Sequence, residues 1–137
     1  NYVHSLPPAY DFEPEFIRKS RENPFEHDDV KQITKQDITI PCEKHELAAR
    51  IYRPDTEQTN RHPALIYFHG GGFVLGGIES YDKLIAQLCF QSNVVIISVA
   101  YRLAPETVFP GAVEDVQKAT EWNATNAISL QLLALIH

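Results

Sequence analysis

The 137-residue chain contains no methionine and a single tryptophan, and its two cysteines, Cys42 and Cys89, stand far apart. No C-x-x-C pair and no metal-ligand spacing accompanies them. They are expected to be reduced, buried thiols in a cytoplasmic protein, with no metal and no disulfide. Positive charge is also scarce: 12 lysines and arginines against 18 aspartates and glutamates leave a formal net charge of −6. No basic run exceeds two residues, so nucleic acid and anionic membranes are disfavoured as partners. No apolar run approaches the length of a membrane span. No charged stretch leads into an apolar one at the N-terminus, so no secretory signal is expected, and the lack of methionine implies a start that was removed or left out. Asn123-Ala124-Thr125 matches a glycosylation triplet, but such triplets are common by chance.

Glycine is sparse too, with six residues, which gives weight to Gly70-Gly71-Gly72. These follow His69 and the apolar run Ala64-Leu65-Ile66-Tyr67-Phe68, and lead through Phe73-Val74-Leu75 to Gly76-Gly77. A buried strand running into three glycines brings bare backbone N–H groups to the end of a sheet, where a substrate oxygen can approach closely. Phosphate binding is the competing use of such a loop. A dinucleotide fingerprint from Gly70 would need glycine where Leu75 stands. A P-loop from Gly71 would need Lys and Ser/Thr where Gly77 and Ile78 stand. Both fail, and no cofactor is expected. Convergent N–H groups with nothing else to bind are the requirement of an oxyanion hole in acyl transfer.

A second block, Asn93 to Ala100, reads as another buried, β-branched strand. It ends in Tyr101-Arg102-Leu103-Ala104-Pro105-Glu106, followed by Phe109-Pro110-Gly111-Ala112-Val113-Glu114-Asp115. Together with His69-Gly70-Gly71-Gly72-Phe73 upstream, this resembles the hormone-sensitive-lipase-like carboxylesterases of the α/β-hydrolase superfamily, over roughly residues 37–122. The resemblance implies an α/β fold, an eight-stranded, mostly parallel sheet flanked by helices, with a helical cap. It implies hydrolysis of short acyl esters by a Ser-Asp/Glu-His triad. It assigns Gly71 and Gly72 as oxyanion donors, His69 and Gly70 as loop support, Phe73 as a wall of the acyl pocket, and Tyr101, Arg102, Glu106 and Asp115 as a polar brace. A buried Arg102 wants a carboxylate, and Glu106 or Asp115 would serve. Amide or formamide hydrolases share the scaffold, and plant gibberellin receptors resemble the family while acting as small-molecule binding proteins without catalysis.

The sequence departs from the family at the nucleophile. It has no G-x-S-x-G, and neither the triad acid nor the triad histidine is identifiable. Ser129 lacks flanking glycines and His137 lacks partners, so the chain alone is expected to be inactive. Residues 1–36 are expected to be an N-terminal cap or lead-in, with a short helix from Glu15 to Glu22 and another capped by Asp28 or Asp29 through Gln32. Residues 37–137 are expected to be a partial hydrolase domain. Within it, Asp37 to Ile40 and Leu47 to Tyr52 read as a hairpin, Thr56 to His62 as a loop, and Ser80 as the cap of a helix burying Leu84, Ile85, Leu88 and Cys89. The helix from the Phe-Pro pair is expected to reach Trp122. The apolar stretch Ala127 to Ile136 reads as a buried helix, which implies that a strand and elbow are missing between Trp122 and about Ala124. The small-molecule partner is an acyl ester, and a homodimer is left open.

Overall fold

The computed structural model describes residues 29–55, 62–126 and 132–133. The expected helices between Glu15 and Glu22, and the side chains of Ser129 and His137, lie outside them. The elements are β1 (Ile33–Pro41), β2 (Glu46–Pro54), β3 (His62–Phe68), α1 (Ile78–Ser92), β4 (Val95–Val99), α2 (Gly111–Asn126) and β5 (Leu132–Leu133). They form one sheet in the order β1-β2-β4-β3-β5. β1 and β2 pair as an antiparallel hairpin from Ile33↔Pro54 to Pro41↔Glu46. β2 is also antiparallel to β4. β4 and β5 flank β3 on either side, both parallel to it. The described part of the sheet is therefore antiparallel through β1-β2-β4 and parallel through β4-β3-β5.

All five residues of β4 are buried, as expected of a central strand covered on both faces. Alternation along β4 divides the core in two. Val95, Ile97 and Val99 join Leu47, Ala49, Ile51 and Ala119 of α2, with Trp122 packed against them. Ile96 points the other way, to Tyr52 and to Ile85, Ala86 and Cys89 of α1. The two helices thus cover opposite faces. Burying side chains such as Ile97, each worth about 1.5–3 kcal/mol, holds the three layers together.

Several boundaries differ from the sequence reading, each for a physical reason. β1 starts at Ile33 rather than Asp37, and residues 29–32 form no helix. β1 lies at the sheet edge and mostly faces outward, so its polar first half gave no apolar signal. α1 starts at Ile78, with Gly77 at the cap position and no side-chain cap, so Ser80 falls inside the first turn. Leu88, expected in the core, is 41% exposed, and Ala86 is buried instead. Asn93 is not part of the strand; it ends α1 in the left-handed conformation, φ 55°, which asparagine tolerates. His62, assigned to a loop, opens β3.

The largest correction concerns the end of the chain. α2 runs unbroken from Gly111 to Asn126, through the point where the sequence reading placed a missing strand and elbow. Leu132 and Leu133 are strand, paired with His62 and Pro63, not helix. A segment apolar on every side is as compatible with a parallel strand buried on both faces as with a buried helix, and periodicity alone does not separate them. Asn123 of the glycosylation triplet is 4% exposed and donates to the Ala119 carbonyl inside α2.

Candidate active site

The loops after β3 and β4 leave the sheet toward opposite faces, since α1 and α2 lie on opposite sides. Open α/β sheets bind ligands in the crevice such a divergence creates at the carboxyl ends of the strands. The glycine loop, residues 70–77, and the segment from Tyr101 to Pro110 flank this crevice. Two bonds tie them together: the Tyr101 hydroxyl donates to the His69 carbonyl at 2.6 Å, and the Ala104 amide donates to the Phe73 carbonyl at 2.8 Å.

Within the loop, the Gly71 carbonyl accepts from the amides of Val74 and Leu75, at 3.2 and 3.0 Å. This closes a tight turn in which Gly71 has φ 133° and Gly72 φ 62°. A Cβ at Gly71 would sit 2.0 Å from the Leu75 carbonyl oxygen, so only glycine fits there. Among the described residues, no acceptor meets the amide N–H of Gly71 or Gly72, and both residues are exposed. Phe73 continues the left-handed turn with φ 63°, is 58% exposed, and sets its ring edgewise to Tyr101 at 6.2 Å.

His69, the last residue before the glycines, is 3% exposed. Its ring stacks on Tyr101 at 4.4 Å and on Tyr81 of α1 at 5.8 Å. Nδ1 lies 2.9 Å from the Gly70 carbonyl. A carbonyl can only accept, so Nδ1 carries the proton and donates it. Burial pushes the imidazole below its ordinary value of 6.5, against a smaller opposing effect of the Gly70 carbonyl. The ring is therefore neutral at pH 7 and contacts the loop's own backbone and two tyrosines.

Behind the loops, Asp115 of α2 is 1% exposed and collects four donor groups. Arg102 supplies its backbone amide at 2.9 Å, Nε at 2.9 Å and Nη2 at 2.8 Å. His45, in the β1–β2 turn, places Nε2 2.8 Å from Oδ1. Burial alone would raise the Asp115 carboxyl; the Arg102 guanidinium and amide, with His45, outweigh it and hold it below the usual carboxylate value. Of the two carboxylates expected to pair with Arg102, Asp115 makes this bidentate contact, while Glu106 is exposed in the loop. His45 and Tyr81 were not singled out from sequence. His45 lies 70 residues from Asp115, so no local signal marks the pair.

Tyr101→Phe removes the only hydroxyl on the His69 carbonyl among the described residues. The loss expected is about 1–2 kcal/mol, the cost of leaving a buried acceptor unpaired. A urea denaturation midpoint unchanged by this substitution would show that the loop does not depend on that bond.

Comparison with known proteins agrees with this architecture. Residues 65–134 match the family model of the alpha/beta hydrolase fold. The chain is 39% identical over 89 residues to Esterase LipI of Mycobacterium tuberculosis, covering 64% of this chain and 28% of that protein. It is 42% identical over 92 residues to an arylesterase of Saccharolobus solfataricus, covering 67% and 29%. The solved esterase of Pyrobaculum calidifontis superposes with a TM-score of 0.81 at 36% identity, covering 96% of this chain and 43% of that one. The chain belongs to the α/β-hydrolase family, in its hormone-sensitive-lipase-like carboxylesterase branch. It spans less than a third of these curated relatives and under half of the solved one.

Proposed function

We propose that the full-length protein hydrolyses short acyl esters through a serine acyl-enzyme, and that the amides of Gly71 and Gly72 hold the oxyanion. The observation that carries this reading is the pair of amide N–H groups, without an acceptor among the described residues, in the exposed loop at the carboxyl end of β3. When a serine oxygen attacks the ester carbonyl, the carbonyl oxygen gains negative charge. Donors already fixed in place need no reorganisation at that moment, and each is worth about 3–4 kcal/mol in the transition state. The loop is fixed because β3 is held between β4 and β5, and because Tyr101 and Tyr81 clamp His69. Phe73, exposed at the same rim, lines the acyl side. His69, neutral and engaged with Gly70, supports the loop rather than acting as the triad base. Tyr101, Arg102 and Asp115 brace the loop after β4, with Glu106 on its outer side.

The nucleophile, the triad acid and the triad histidine then fall in the part of the relatives' length that this chain does not cover. The relatives' printed names, esterase and arylesterase, support an ester substrate. The test is parallel turnover of p-nitrophenyl butyrate and the matching anilide by the full-length protein. Ester turnover far above anilide turnover is expected. Equal rates would make it an amide hydrolase, and no turnover of either would leave a binding protein.

A further inference from the structure

We infer that Arg50 is a positioning residue for the glycine loop, fixing from β2, two strands away from β3, the helix turn into which that loop runs. This rests on the reading of Gly71 and Gly72 as oxyanion donors. The loop passes through Gly76 and Gly77 directly into α1, and α1 has no side-chain cap to fix its start. Something else must set where that first turn lies.

Arg50, on β2, is 16% exposed and spreads its guanidinium over three carboxylates. Nε and Nη2 hold Asp37 of β1 at 2.6 and 3.1 Å. Nη2 also reaches Glu79 at 2.7 Å, and Nη1 reaches Asp82 at 3.0 Å. Glu79 and Asp82 are three apart, on one face of the first turns of α1. Asp82 is 17% exposed and takes two more donors, the Tyr52 hydroxyl at 2.9 Å and Lys35 Nζ at 2.5 Å. Glu79 and Asp37 are 75% and 70% exposed, so water weakens those contacts and the Asp82 contact matters most.

Tyr81 lies between Glu79 and Asp82 in the chain. Its ring stacks on His69, and its hydroxyl lies 3.4 Å from the place a Cβ on Gly70 would occupy. A shift of the first turn of α1 therefore moves Tyr81 against the two residues that open the loop. Arg50 fixes the loop's exit through Glu79 and Asp82, as Tyr101 fixes its entry. A planar fork engages these partners together; a lysine ammonium cannot.

The test measures kcat, KM and melting temperature for Arg50→Met, Arg50→Lys and Asp82→Asn in the full-length protein, with Gly71→Ala alongside. It adds the inhibition constant of a trifluoromethyl ketone, whose hemiketal oxygen occupies an oxyanion hole. Arg50→Met is expected to lower kcat about tenfold by misplacing the loop, with KM within about twofold. The ketone should weaken by the same factor as kcat. Arg50→Lys should recover the melting temperature more fully than kcat. If Arg50→Met does not fold, Asp82→Asn, which keeps the Asp37 and Glu79 contacts, carries the same expectation. Normal kcat and ketone binding in the folded variants, with only the melting temperature lowered, would overturn the proposal and leave Arg50 a structural brace. If Gly71→Ala also kept normal kcat, the oxyanion reading itself would fall with it.

Discussion

Gly71→Ala in the full-length protein is expected to lower kcat about 10²–10³-fold, the cost of losing one oxyanion donor, while KM changes little. The added methyl would lie 2.0 Å from the Leu75 carbonyl oxygen and 2.6 Å from its carbon, both backbone atoms that cannot swing aside. The turn closed by the Gly71 carbonyl would have to open, and the Gly71 amide would lose its direction. Gly72→Ala is the internal control. Nothing lies within 4 Å of a Cβ there, so the loss is confined to holding alanine at φ 62°, about 1–2 kcal/mol. Its methyl would project into the space proposed for substrate, so KM should rise more than kcat falls. Melting temperatures of both variants separate loop damage from loss of the fold. Near-normal kcat in folded Gly71→Ala would remove this loop from the mechanism.

Asp115→Asn is expected to cost about 3 kcal/mol of stability, the lower end of the range for breaking a buried ion pair, because Arg102 keeps part of its solvation. The NH2 that replaces one carboxylate oxygen would point a donor at donors: the Arg102 amide and Nε in the place of Oδ2, or Arg102 Nη2 and the His45 ring in the place of Oδ1. The pH dependence has a definite sign. Asp115 sits below the ordinary carboxylate value of 3.8 when folded, so the unfolded chain takes up the proton first as pH falls. The stability from this carboxylate is complete above that ordinary value and is lost as pH drops toward the folded one. Denaturant titrations across this acid range should show the wild type losing the contribution and Asp115→Asn showing none. Parallel acid profiles for the two proteins would mean that Asp115 is not held ionised by Arg102.

The central strands and the glycine loop were legible because their signals are local. β3 and β4 are continuous apolar runs, and the loop's glycines are adjacent in sequence. The Arg102 pairing was half legible: a buried arginine needs a carboxylate, but sequence alone left Glu106 and Asp115 equal, and the helical course of α2 decides between them. Ile33 to Gln36 were missed because an edge strand with exposed faces has no apolar alternation to display. β5 was misread because a short run that is apolar at nearly every position carries no periodicity to separate strand from helix. His45, Tyr81 and Arg50 act through partners that lie near them only after the sheet forms. No spacing rule reaches across such distances.

The central claim is that the amides of Gly71 and Gly72 receive the developing negative charge. The most direct measurement is a crystal structure of the full-length protein carrying a covalent alkylphosphonate, whose phosphoryl oxygen stands in for the oxyanion. The account predicts that oxygen within about 3.1 Å of both amide nitrogens, with the Gly71 carbonyl still bonded to the Val74 and Leu75 amides. An adduct whose phosphoryl oxygen turns away from the glycine loop and finds its donors elsewhere would contradict it.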